Sequence, residues 1–208
     1  MCFRALASDL ILEPLLRKVR RTVGFFIRRG QLFPVLDLCC GTGAQAGLLS
    51  SHGKVVGIDL DLEVLSHASS RRKRPSFVCA DASRLPFRNS SFRGIVVSFA
   101  LHDKGSNLRR SLMQEAMRLL APGGRIVFVD FEPAWNVRSR WGGLLVFFIE
   151  LFAGREHFKN GRSFVRRGGL GGSLRNTGLV IEERRDFEAG SSIMTVSSRS
   201  NEPHGGTP

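Results

Sequence analysis

Cysteine is scarce and carries no ligand pattern. Cys2, Cys39, Cys40 and Cys79 form no CxxC couple and have no histidine-rich partner spacing. That speaks against a zinc site and a disulfide framework, so no metal is expected. Such thiols suit a reducing compartment, where they act as small buried hydrophobes. Acid is the scarcer charge: 18 Asp and Glu against 31 Lys and Arg leave a formal +13. The excess is spread, with +5 over residues 1–34, +4 over 35–132 and +4 over 133–208. It permits contact with nucleic acid or an anionic membrane and establishes neither. Long apolar runs are also lacking. The longest, Gly142 to Ala153, contains Glu150 and falls far below the ~20 residues of a membrane span. The start has no signal-peptide layout, because Asp9 and Glu13 interrupt it and the arginines follow the apolar residues. A cytoplasmic chain is expected, soluble or peripheral to a membrane. There is no internal repeat.

With 42% hydrophobic residues, the 208-residue chain has enough for one packed domain. Between Leu10 and Arg29, Leu12, Leu15, Leu16, Val19, Val23 and Ile27 fall on one helical stripe against Arg17, Lys18, Arg20, Arg21 and Arg28, and Pro14 fits near a helix start. The rhythm then changes. Short apolar strands are predicted at 33–38, 54–58, 76–79, 94–99 and 125–131. Helices fall at 44–49, 60–70 and 108–120, the last closed by Ala121-Pro122-Gly123-Gly124. This alternation predicts an α/β, Rossmann-like, doubly wound and mostly parallel sheet. Beyond it lie an apolar helix (141–152), a Gly/Arg-rich region (154–172), an antiparallel C-terminal hairpin (179–183 with 192–197) and a polar, disordered tail.

In such a sheet the ligand lies outside the carboxyl ends of the strands, where the strand order reverses. The first strand ends in Asp37-Leu38-Cys39-Cys40-Gly41-Thr42-Gly43, an acid followed by a glycine bend. The second ends in Asp59, whose carboxylate can accept both hydroxyls of a ribose. The third is followed by Asp81-Ala82, placed to meet an adenine edge. Gly41, Gly43 and Gly47 do not complete GxGxxG, and Asp37 would repel a pyrophosphate. A ligand bearing an ammonium and a sulfonium suits that acid instead. The alternative for these residues is a set of structural turns without a cofactor.

The stretches VLDLCCGTG (35–43), VVGIDLD (55–61), CADASRLPF (79–87), IVVSFALHD (95–103) and LLAPGGRIVFVDF (119–131) resemble, in order, the motifs of class I S-adenosylmethionine-dependent methyltransferases. The resemblance is to the type 11 branch with the small ubiquinone/menaquinone methyltransferases. It covers residues 33–131, and the family's usual glycine is replaced by Cys39. It implies a methyltransferase domain over 33–198 with an acceptor-binding insertion at about 133–177. An amphipathic segment, 1–32, precedes it and a disordered tail, 199–208, follows. It implies S-adenosylmethionine as cofactor. Asp37, Cys39, Gly41 and Gly43 would line its methionine half, Asp59 the ribose, Leu60, Asp81 and Ala82 the adenine, and Ser98 and Phe99 the sulfonium. His102 and Asp103 are the candidate catalytic bases.

Three functions follow. The first is methyl transfer to a small or lipid-like apolar acceptor (a quinol, a phenol or an amine headgroup), with Trp141, Phe147, Phe148, Phe152 and His157 shaping its site. The second is an RNA methyltransferase using the basic surface; spread arginines and the lack of an Asn/Asp-Pro-Pro-Tyr-type loop after strand four make nucleic acid the weaker partner. The third is a cofactor-binding regulatory protein without catalysis. Residues 10–29 are read three ways: as a lid, as a solvated amphipathic helix packed on the sheet, or as a helix facing an anionic membrane with Phe25, Phe26 and Ile27 inserted.

Overall fold

The computed structural model describes residues 2–132, 155–175, 177–187 and 192–199. In chain order these form α1 (Cys2–Arg29), β1 (Val35–Leu38), α2 (Ala44–Leu49), β2 (Val55–Asp59), α3 (Leu62–Arg71), β3 (Ser76–Cys79), β4 (Phe92–Ser98), α4 (Ser106–Leu119), β5 (Leu120–Phe131), α5 (Arg155–Arg166), α6 (Gly169–Leu174), β6 (Leu179–Asp186) and β7 (Ser192–Arg199). One sheet runs β3-β2-β1-β4-β5-β7-β6. Its first five strands are parallel, and β7 lies antiparallel to both β5 and β6. The order reverses between β1 and β4, and β1, buried along its whole length, is central.

The two-residue period of the strands divides the core into two layers. Val35, Val96, Val127 and Val129 face Val19, Val23, Phe26 and Ile27 of α1 and Ala46 and Leu49 of α2. Leu36, Leu38, Ile95, Val97, Ile126 and Phe128 face Leu112, Met113, Ala116 and Leu119 of α4, together with Phe164, Leu170 and Leu174 from α5 and α6. Helices therefore cover both faces, as continuous apolar strands require.

The structure amends several readings. Helix α1 begins at Cys2, so Pro14 lies in its interior; a proline removes one ladder bond there without ending the helix. Phe26 and Ile27 are buried in the core, which leaves only Phe25 of the proposed membrane-inserting triplet at the surface. Asp61 caps α3 by accepting from Glu63 N and Val64 N, moving its start to Leu62. The Ala121–Gly124 stretch follows the end of α4 but becomes the irregular beginning of β5, where the pairing with β4 shifts between Phe92 and Gly94. Part of the Gly/Arg-rich region is helical, as α5 and α6. Ser198 and Arg199 belong to β7, not to the tail. The helix expected at 141–152, with Trp141, Phe147, Phe148 and Phe152, and the tail from 200 onward lie outside the described residues. Among the described residues no helix is long and apolar enough to cross a membrane.

The loop between β3 and β4 is fixed from α4. Glu115, buried, accepts from Leu85 N at 2.7 Å, while Arg118 bonds Glu115 and donates to the carbonyls of Leu85 and Phe87. Glu115→Ala leaves a buried N–H without a partner. We expect a loss of about 1–3 kcal/mol in chemical denaturation, with the slope unchanged.

Candidate active site

At the strand-order reversal, the ends of β1 and β4 and the start of α2 enclose a cavity of about 200 Å³. Asp37, Cys39, Cys40, Gly41, Thr42, Ala44, Gln45, Ser98 and Phe99 line it, and Leu16, Val19 and Arg20 of α1 close one side. Helix α1 is thus both a core helix and a wall of the cavity.

The bend owes its shape to two glycines used differently. Gly41 (φ +53°) would point a Cβ into open space, so its backbone is bare toward a ligand. Gly43 (φ +70°) has no such room, since a Cβ there would come within 2.6 Å of the Phe77 ring. Cys39 also adopts a left-handed backbone (φ 56°), at the position where the resembled family has glycine. Asp59 fastens the bend from the neighbouring strand: its Oδ2 accepts from Gly41 N at 2.8 Å and its Oδ1 from Asp61 N at 3.1 Å.

The electrostatics centre on Asp37. It is buried, and burial pushes its carboxyl up to about 7 despite the hydrogen bond from Ala46 and the charge of Arg20. Its Oδ2 and the Oε1 of Gln45 are the buried side-chain polar atoms without a hydrogen-bond partner among the described residues. Both are acceptors, and both residues line this one cavity. Orphaned acceptors at a cavity wall call for a ligand rich in N–H donors and preferably cationic. The ammonium of S-adenosylmethionine fits that requirement. The thiols offer little chemistry: burial pushes Cys39 up to about 12 and Cys40 higher still.

Of the residues singled out in the sequence, Asp37, Cys39, Gly41, Ser98 and Phe99 line the cavity. Asp59 holds the bend through Gly41 N, and Gly43, packed against Phe77, is not in the wall. Leu60 is largely exposed, Ala82 is buried in the core, and Asp81 is exposed, with Oδ1 accepting from Ser83 N and Oγ. None of these three is brought into the cavity wall. His102 is buried and holds its Nδ1 2.8 Å from Asp130 Oδ1, while Asp130 Oδ2 accepts from Leu101 N and His102 N. Asp103 instead faces Lys104 at 2.9 Å, so its charge is already shared. Asp130 escaped the sequence reading, although an acid at the end of a buried strand is the same signal that marked Asp37 and Asp59. Phe131 links the two regions, its ring centroid 5.6 Å from Phe99 and 4.6 Å from His102. Gln45 carried no signal, since only its burial beside the cavity distinguishes it.

A family profile described as a methyltransferase domain matches residues 35–124. The demethylmenaquinone methyltransferase of Beutenbergia cavernae is 33% identical over 120 residues, covering 57% of this chain and 48% of its own. An uncharacterized methyltransferase of Synechocystis sp. PCC 6803 is 30% identical over 168 residues, covering 80% and 76%. Among solved structures, the N-methyltransferase NodS of Bradyrhizobium japonicum WM9, in complex with S-adenosyl-L-homocysteine, aligns with a TM-score of 0.62 over 91% of this chain and 89% of its own, at 17% identity. The chain belongs to the class I methyltransferase family. It spans about half the length of the demethylmenaquinone methyltransferase it matches.

The raised Asp37 carboxyl fixes a pH dependence. A folded-state value near 7, against 3.8 unperturbed, means the empty protein loses stability as pH rises from about 4 through 7. Asp37→Asn should flatten that slope in thermal unfolding measured across this range. At pH 6, binding of a cationic ligand should release a proton, seen as a buffer-dependent calorimetric heat that Asp37→Asn abolishes. At the left-handed Cys39, Cys39→Val should cost about 1–2 kcal/mol more than Cys39→Gly in the same unfolding assay.

Proposed function

We propose that this chain is an S-adenosylmethionine-dependent methyltransferase whose acceptor is a small or lipid-like apolar molecule, a quinol ring in the first instance. The observation that carries the reading is the pair of buried, orphaned acceptors, Asp37 Oδ2 and Gln45 Oε1, on two residues that line one cavity beside a bare glycine bend. Asp37 and Gln45 would hold the ammonium end, the Gly41 backbone would let the donor lie close, and Asp59 has lone pairs left for ribose hydroxyls. When bound, S-adenosylmethionine supplies a methyl group on a cationic sulfur; the carbon–sulfur bond breaks with its pair left on sulfur while the acceptor forms the new bond and gives up a proton.

The chain's own task is then alignment and proton removal. With Asp130 Oδ1 accepting from Nδ1–H of His102, Nε2 is the ring nitrogen that carries the lone pair. The Phe99–Phe131–His102 contacts lead from the cavity wall to that ring. This arrangement suits a phenolic or enolic acceptor that must lose a proton. The name of the Beutenbergia relative, a demethylmenaquinone methyltransferase, supports a quinol over an amine headgroup.

The test supplies methyl-labelled donor with a reduced demethylated naphthoquinone, a simple phenol, an amine headgroup and bulk RNA in parallel. Label in the quinol is expected; label only in RNA sinks the acceptor assignment, and donor binding without label in any acceptor sinks the activity. His102→Asn should lower kcat by about 10²–10⁴ and leave the donor's dissociation constant unchanged. Asp37→Asn should instead weaken donor binding by about 1.5–3 kcal/mol, as loss of a hydrogen bond to a charged group.

A further inference from the structure

On the α4 side of the sheet, α4 and the segment carrying α5 and α6 enclose a second cavity of about 500 Å³. Among the described residues it shares no lining residue with the first. Its wall is basic: Arg109 and Arg110 come from α4, Arg167 from the turn before α6, and Arg175 from the end of α6. Ser106, Gln114, Ser173 and Thr177 add hydrogen-bonding groups, and Met113 and Met117 add an apolar strip. No acidic residue lines it among the described residues; the carboxylate of Glu132, against Gly171, shares its field with Arg175 from outside the wall.

Arg109 is the informative one. It is only 6% exposed, and its guanidinium lies 5.1 Å from the centroid of the fully buried Phe164 ring. Burial, first, and the neighbouring charge of Arg167 act against its protonated form, while the carboxylates of Asp130 and Asp103 act for it and leave the net shift downward. Like charges drawn together around a cavity, one of them desolvated, are balanced by an anion entering it. Arg109 is held by its ring contact before any ligand arrives, so little order must be created on binding.

We propose that this cavity binds a small phosphorylated molecule carrying at least two negative charges, its oxygens in the guanidinium forks and its organic part along Met113 and Met117. The volume is that of a small-molecule site. Single-stranded RNA is disfavoured because, among the described residues, no aromatic ring lines the wall for a base to stack on. The site has a route to the strand ends, since Gly171 N of α6 donates to Glu132, next to Phe131.

The experiment is calorimetric titration of the full chain with inorganic pyrophosphate, a short-chain alkyl diphosphate and a single-stranded RNA oligonucleotide. No methyl donor is present, so the outcome is independent of methyl transfer. Binding of either diphosphate, weakened at least tenfold in the Arg167→Gln/Arg175→Gln variant, supports the site. Both arginines are exposed, so this variant keeps its core, and Arg109→Met tests the buried member. A preference for the alkyl diphosphate assigns a lipid-like source; equal affinity assigns a soluble one. The proposal is overturned if neither diphosphate binds at millimolar concentration or if only RNA binds. An equal loss in a control Arg71→Gln/Arg74→Gln variant, or none in the cavity variant, also overturns it.

Discussion

The hydrogen bond from Gly41 N to Asp59 Oδ2 joins the two strands whose ends form the site. Its geometry rests on the parallel register of β1 and β2, which sets Asp37 opposite Gly57 and Leu38 opposite Ile58, and so brings the end of one strand beside the acid that ends the next. With that link in place, Cys39, Gly41 and Gly43 hold their left-handed conformations and Asp37 is kept beneath the bend. Backbone strain at Cys39 and the desolvated Asp37 are local costs that the packed sheet sustains, a common condition of binding sites.

Asp37 and Asp59 show how two aspartates at equivalent strand ends acquire different work. Asp59 lies at the rim with both oxygens engaged by backbone N–H groups. Asp37 lies inside, with one oxygen unsatisfied. Burial and hydrogen-bond partners together separate them. A third acid, Asp130 at the end of β5, is engaged by three N–H donors from residues 101–102 and 131 and by the His102 ring, so it orients a neighbour.

Much of this was legible in the chain. The strands of the parallel sheet could be read because continuous β-branched runs between glycine and proline punctuation have few other solutions, and the strand-end rule then marked Asp37, Asp59 and the glycine bend. Boundaries slipped where a side chain intervened: Asp61 capped α3 and shortened it. Gln45 was illegible as a site residue, and Leu16 and Arg20 were marked only through the lid reading of residues 10–29, because their part depends on how α1 and α2 meet over β1, a tertiary fact without a local pattern. The arginine-lined cavity was hidden for the same reason, since Arg109–Arg110 and Arg167–Arg175 are far apart in sequence and each pair reads as ordinary solvated charge. Leu60, Asp81 and Ala82 were placed by analogy of position, and the cavity wall does not include them.

Val19 belongs at once to the hydrophobic interior and to the surround of the cavity at the strand-order reversal, one turn after Leu16 and beside Arg20. Retention of a bound small molecule and cohesion of the whole fold are therefore not separable properties on that stripe. A methyl group trimmed there loosens both together, and occupancy of the cavity in turn braces the helix against the sheet. Heat tolerance should therefore track ligand saturation most closely in variants of this helix.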